Sequence, residues 1–383
     1  MSDITLSSFD AWLKDRGPAA LVIREHLMPV EGHDGVLFPP TFAATEDKSF
    51  KGGYNIDQHG DSSVCLVDSV GAQANRIEPI FALEDYKSLV PQIEVTAGKR
   101  AVNLLEAGHR AGDAIVRCSS LKEDLQKAFH ADQDGNARPL AMIAPTSFVF
   151  GVWDSRDTQC KRPRLVASTI RAYDVQSLHR SAVYNRTLEY DDKDNELLSK
   201  DLLEKAGAGD KRADSKSGFA NALASWSHGG VIAKGGVRRD ATLHLAALRL
   251  VRVKGDAAAT LELQRYILGL ALTAFTFSPP GYLRQGCNLV PDPDRPRELK
   301  TVHGDGKRDD AAVPGAKTPL THDVALVYAK LAAKAFGVGE DRTVPFDTEA
   351  AKRDLAGDEG KKAAAAKKEE KKSAKKEEKG AGA

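Results

Sequence analysis

Apolar positions recur along this chain with two periods, and the change from one to the other divides it into elements. Leu6, Phe9, Trp12 and Leu13 stand at helical spacing and predict a short amphipathic helix. Ala19 to Val30 predicts the first buried strand, with Arg24 and His26 two apart and so on one face. Residues 31 to 62 show little periodicity and hold Pro39-Pro40 and Gly52-Gly53; a connection that long inside a compact domain is usually functional or mobile. The run Cys65 to Pro79, CLVDSVGAQANRIEP, predicts a helix at about 100° per residue. Leu66, Val67, Val70, Ala74 and Ile77 then share one side, while Asp68, Gly71 and Asn75 share the other, flanked by Ser69, Ala72 and Arg76. Pro79 disfavours helix at the residue before it, which places the end. A polar side with small residues lets another backbone approach and offers it hydrogen bonds. A core helix whose small residues pack on a neighbour fits the same pattern.

Ile93 to Val95 predicts a short strand, and Leu121 to Phe129 a helix. Thr146 to Trp153 and Pro163 to Val175 predict two strands joined as a hairpin through the polar SRDTQCKR. Glu189 to Asp201 holds six carboxylates against two Lys and reads, with the Gly-, Asp- and Lys-rich residues after it, as a solvated excursion. Gly229-Gly230 and Gly235-Gly236 bracket VIAK and lead into a strand. Leu261 to Phe277 is a long apolar helix closed by Pro279-Pro280; residues 291 to 319 read as loop, and Asp323 to Phe336 as a helix. From about Leu355 the chain turns to Lys, Glu and Ala with no apolar face, which predicts a disordered tail. This order suits an α+β domain with an antiparallel sheet over residues 1–355, with insertions at about 31–62 and 189–230, followed by a tail at 356–383.

Composition changes this picture in one respect. With 383 residues, 42% of them hydrophobic, the chain can bury a sizeable core, and its net charge is only +1. Because the tail concentrates lysine, the body before it is slightly acidic. Nucleic-acid binding would therefore need local basic grooves rather than a basic whole. Four scattered Cys without a CxxC pair fit reduced thiols in a cytoplasm. The start lacks a basic stretch followed by an apolar core, and no apolar run is long enough for a bilayer, so neither secretion nor a membrane is expected.

Enzyme motifs are missing: there is no Walker loop, GxGxxG, HExxH or GxSxG. Asp57, His59 and Asp61 have a spacing that can hold a metal, but their polar, Gly-rich setting reads better as a solvated loop, so no metal or cofactor is expected. Basic clusters stand out more. Arg156, Lys161, Arg162, Arg164 and Arg171 face Asp157 alone, and Lys234, Arg238, Arg239, Arg249, Arg252 and Lys254 face Asp240 alone. Each lies at a hairpin or glycine-rich turn, where cations and bare backbone N–H groups can share a phosphate. Charged strand faces would look the same one cluster at a time; together with the Asn75-Arg76 helix they point to an RNA or single-strand binder. Tyr54, Tyr173 and Tyr184 lie where a base could stack, though each also suits a core.

The segments DSVGAQANRIEP, FPPTFA, GGYNID, PRLVASTIRAYDV with RSAVYN, and GGVRRDATLHLAALR together resemble one family over about residues 19 to 336. It is the CRISPR-associated RAMP protein of type I-G systems (formerly I-U), the Csb backbone subunit, a Cas-seven-type component of Cascade. The resemblance implies an RRM-like (ferredoxin-like) RAMP core with large insertions, shaped as a hand with palm, fingers and thumb. It implies a cytoplasmic, non-catalytic subunit that binds CRISPR guide RNA and polymerises head to tail along it. Its partners would be the guide, target DNA paired to the guide, further copies of itself, a large subunit and a guide-end-binding RAMP subunit. A subunit that must hold any guide should read phosphates and shape, not bases. Residues matched to that role are Gln73, Asn75 and Arg76 from the helix; Lys161, Arg162 and Arg164 from the hairpin; and Lys234, Arg238 and Arg239 after the glycine pairs, with Arg24 and His26 behind them. The rival reading is a RAMP endoribonuclease that processes guide precursor, with His179 or His228 as acid or base.

Overall fold

The computed structural model describes residues 4–47, 49–185, 191–192, 195–196 and 222–357. Along the chain, strand β1 (Ala20–Pro29) is followed by β2 (Ile56–His59), β3 (Ser62–Asp68) and helix α1 (Val70–Ile77). A helical region containing α2 (Lys122–Gln133) precedes β4 (Val166–Tyr173) and the long hairpin β5 (Val175–Tyr184) and β6 (Ala222–Ala233). Then come β7 (Val237–His244), α3 (Ala257–Thr276), β8 (Tyr282–Arg284), β9 (Cys287–Pro291), β10 (Glu298–Val302), β11 (Arg308–Asp310) and α4 (His322–Phe336). The class is α+β, as expected.

One nine-stranded sheet organises the molecule, in the order β8-β9-β1-β7-β4-β3-β2, with β10 also on β1 and β11 outside β10. All its pairings are antiparallel. The middle runs β10-β1-β7-β4, and α3 connects β7 to the strands returning on β1's other side.

Pleating sends alternate residues of β1 and β7 to opposite faces. Leu21, Ile23, Ala241 and Leu243 point inward to the main core, under α3, where every residue from Tyr266 to Thr276 is buried. A smaller core covers the other end of that face, where Val237, Ile170, Ala172, Cys65 and Val67 meet Leu283, Cys287 and Leu289 of the β8–β9 hairpin. Helix α3 starts at Asp256, whose carboxylate accepts the Ala259 N–H at 2.8 Å. It lies on α4 without a side chain between them at Gly269, where an added Cβ would come 2.8 Å from Ala329 Cα.

Several expectations are corrected. Cys65 to Asp68 is strand, not helix; Ser69 breaks the two elements and caps α1 by accepting the Ala72 N–H at 3.2 Å. Thr146–Phe150 is a helix buried at every position, and only Val152–Trp153 is strand. A short run buried all round carries no period to tell the two apart. The strand expected after Gly236 stops at His244 and gives way to a helical turn, Leu245–Leu248. Residues 291–319, expected as loop, contain β10 and β11. The insertion at 31–62 holds short strands Thr41–Phe42 and Gly53–Tyr54 as well as β2. Most of the acidic 189–201 segment, and the tail from 358 onward, lie outside the described residues.

Replacing Gly269 by Val should cost about 1–3 kcal/mol by forcing α3 from α4. A lower urea midpoint at unchanged slope checks this; an unchanged midpoint contradicts the close crossing.

Candidate nucleic-acid interface

The face of the sheet opposite the core carries Arg24 and Arg238 of the sequence-predicted cations, with Lys234 at its edge. Across β1, β7 and β4 the register aligns His26 with Arg238 and Arg171, and Arg24 with Asp240 and Thr169. These rows share the outward side of the pleat. Arg238 is held in place: its Nη2 donates to Tyr173 Oη at 2.9 Å, its Nε donates to Asp240 at 2.9 Å, and its guanidinium lies 4.7 Å from the Tyr173 ring centre. Arg171 donates to Thr169 Oγ1 at 2.7 Å, and Arg24 is exposed, with Asp240 at 4.0 Å. Asp240 is the one carboxylate contributed by β1, β7 and β4 on this side, against three guanidinium groups. Burial, then Arg295 and Arg238, lower the His26 pKa, so the imidazole is neutral near pH 7. Lys234 is exposed in the turn between β6 and β7 and, with His26, lines a cleft of about 520 Å³ at this end of the sheet. Expected residues Arg24, His26, Lys234 and Arg238 are thus brought together, and Arg171 and Tyr173 join them. The sequence placed Arg171 in the other basic cluster; only the strand order puts it here.

Arg239 is not part of this surface. Its side chain is 2% exposed on the inner face, with Nε 2.8 Å from Glu25 Oε2. The pleat that presents Arg238 buries its neighbour, and the expected RNA contact is corrected to an interior ion pair. Arg249 likewise turns inward, donating to the carbonyls of Trp12 and Pro18.

The Asn75-Arg76 helix is corrected as well. Gln73 is fully buried: its Nε2 donates to Asp68 at 2.7 Å and its Oε1 accepts from Ser168 at 3.0 Å. Asp68, 1% exposed, also accepts from Arg76 at 3.1 Å and Arg284 at 3.2 Å. Arg76 further donates to the Leu283 carbonyl at 2.8 Å. Asn75 is exposed, and its Oδ1 accepts from Arg110 at 3.3 Å. The polar side of α1 is therefore chiefly a clamp between elements. Beyond it, buried Glu78 and Arg110 approach to 2.5 Å. Burial pushes the Glu78 carboxyl up to about 7, against the pull of Arg110.

Lys161 and Arg164 are exposed on or beside the short Val152–Trp153/Lys161–Arg162 hairpin, whereas Arg162 is tied to buried Asp132. Tyr54 belongs to the core, with its hydroxyl accepting the Gly230 N–H at 2.9 Å. His179 and His228 lie directly opposite one another in the β5–β6 hairpin. His179 stacks on exposed Trp226 at 4.3 Å, and His228 lies 5.1 Å from Tyr54. Asp57, His59 and Asp61 sit at the exposed end of the β2–β3 hairpin, on strand and turn rather than irregular loop. Among the described residues, the group with ligand atoms close enough for a metal is instead His33, Asp292 and Asp294.

Residues 21–177 match the model of a family described as CRISPR-associated protein GSU0053. No curated protein matches the chain. The matched stretch, less than half of the chain, runs from β1 through β4 and includes Asp68, α1 and the hairpin cations, but not Arg284. This similarity points to a part in CRISPR–Cas defence. Among the described residues, no helix is long and apolar enough to cross a membrane.

Two outcomes follow from the clamp. Asp68→Ala should lower stability by about 3 kcal/mol, since it leaves two guanidinium groups and an amide without their acceptor; chemical denaturation reads this. For Glu78, the folded carboxyl holds its proton up to about pH 7, while the unfolded one loses it near its ordinary value of 4.5. Its contribution is complete below that ordinary value and is lost as pH rises toward 7. Glu78→Gln should flatten stability against pH across that window; an unchanged slope would contradict the assignment.

Proposed function

We propose that the protein is a non-catalytic, cytoplasmic guide-RNA-holding subunit of a type I-G (formerly I-U) Cascade, the Csb, Cas-seven-type backbone component. Several copies would polymerise head to tail on the guide, present it to target DNA, and join a large subunit and a guide-end-binding RAMP subunit. The observation that carries this reading is the open sheet face, where three adjacent strands each contribute one arginine beside a tyrosine. Such a face can hold phosphates and sugars without reading bases, which a carrier of arbitrary guides requires.

Two further observations support it. The similarity of residues 21–177 to a CRISPR-associated family sets the biological context. The middle sheet order β10-β1-β7-β4, with a helical connection after β1 and another after β7, has the arrangement of a split β-α-β-β-α-β unit, the core expected of an RRM-like RAMP protein. A heterologous head-to-tail contact also grows a helical filament unless its rotation closes a ring, so an RNA template can set the copy number. The endoribonuclease reading has less behind it, because His179 is engaged in stacking on Trp226 and His228 packs beside Tyr54.

In anisotropy titrations, Arg238→Glu and Lys234→Glu should each weaken binding of two unrelated single-stranded RNAs about equally. The slope of log affinity against log salt should fall by about 0.7 for each phosphate that the variant no longer neutralises. A strong preference between the two RNAs in the unaltered protein, or no effect of either change, would overturn the reading. Arg239→Glu differs in kind: its effect should appear in thermal melting, because that side chain is interior.

A further inference from the structure

A second cationic feature lies apart from the open face. The segment around Arg110 and the 151–164 hairpin enclose a cleft of about 580 Å³, whose walls include Arg117, Arg156, Lys161, Arg162 and Arg164 and, among the described residues, no carboxylate side chain. Some of these cations have a carboxyl partner behind them. Arg110 meets Glu78, Arg117 meets Asp354, and Arg162 meets Asp132. Lys161 has no such carboxylate partner among the described residues: its ammonium lies 5.4 Å from the ring centre of Trp153, directly opposite it in the hairpin. Arg164 is exposed at the rim, seated against Gly151, where a Cβ would come 2.8 Å from Arg164 Cγ. Gly151 also has φ +81, so the backbone and the arginine both require glycine there.

Trp153 is the second element. It is 56% exposed, whereas Trp12 is buried in the main core. Gly108 and Gly112 line the same cleft, Gly112 packed against the Trp153 backbone. An exposed indole beside cations matches how single strands are held. Bases stack on an aromatic face while cations follow the phosphates, at about 1–3 kcal/mol per stacked base. A merely acidic protein segment would need the cations but not the ring.

We infer that this cleft is a second nucleic-acid site, taking a single strand with one base on Trp153 and the adjoining phosphates at Lys161 and Arg164. It stands on its own observations and does not depend on what the open sheet face binds.

The test uses the full chain and a short fluorescein-labelled oligothymidylate at low salt. Trp153→Ala and Arg164→Glu should each weaken binding by about tenfold or more, and Trp153→Phe should keep most of it. Binding should quench tryptophan fluorescence in the unaltered protein, and the quench should shrink in Trp153→Phe. Lys234→Glu should affect this oligomer much less. Both cleft side chains are exposed, so unchanged thermal melting will show that the variants fold. Loss of binding confined to Lys234→Glu or Arg238→Glu would overturn the cleft site and leave the open-face reading standing. Retention in Arg238→Glu with loss in Trp153→Ala would support it, whatever the fate of the other reading. Equal competition by polyglutamate through the same residues would also overturn it, in favour of an acidic protein segment.

Discussion

One buried carboxylate holds the architecture together. Asp68, at the end of β3, receives Gln73 and Arg76 from α1 and Arg284 from the β8 hairpin. Gln73 passes the connection on to Ser168 of β4. A charge removed from water must have its lone pairs filled, and here the partners come from segments more than two hundred residues apart in sequence. The requirement therefore sets the position of the helix on the sheet and of the late hairpin against both. Packing alone would leave α1 free to slide, because the apolar area of an eight-residue helix is small.

The same network reaches the surface. Asn75 accepts from Arg110, whose guanidinium also donates to the Gly151 carbonyl at 3.3 Å and pairs with Glu78. That connection fixes two walls of the cationic cleft relative to the sheet. The residues that sit buried in the DSVGAQANRIEP run thus act on the candidate surfaces at one remove, by positioning what does face solvent.

Pleating governs the other surface. Arg238 and Arg239 are neighbours with opposite roles: one extends beside Tyr173 on the open face, the other pairs with Glu25 beneath it. Had β7 shifted by one residue against β1, the two would exchange places, with a charge stranded in the core or an ion pair given up to water. The Glu25–Arg239 contact therefore specifies the register that displays Arg24, His26, Arg171 and Arg238 together.

The α+β class, the two long helices and strands β1 and β4 were legible in the sequence, because each rests on local periodicity; the hairpin expected of residues 146–153 with 163–175 was not, since Trp153 pairs with Lys161 inside the expected connector and β4 pairs with β3 and β7. The basic clusters were legible as composition. What local pattern could not contain was direction. Gln73 looked like part of a polar helix face, and only the neighbouring β4 and β8 turned that face inward; Arg239 looked equivalent to Arg238 until pairing with β1 assigned them sides. Sequence by itself determined which residues carry charge and where the long, strongly periodic helices and strands lie, since those depend on side chains a few positions apart; segments without a period, such as Thr146–Phe150, it left open. Tertiary structure alone decided which charges meet water, because burial and strand register are properties of partners far away along the chain.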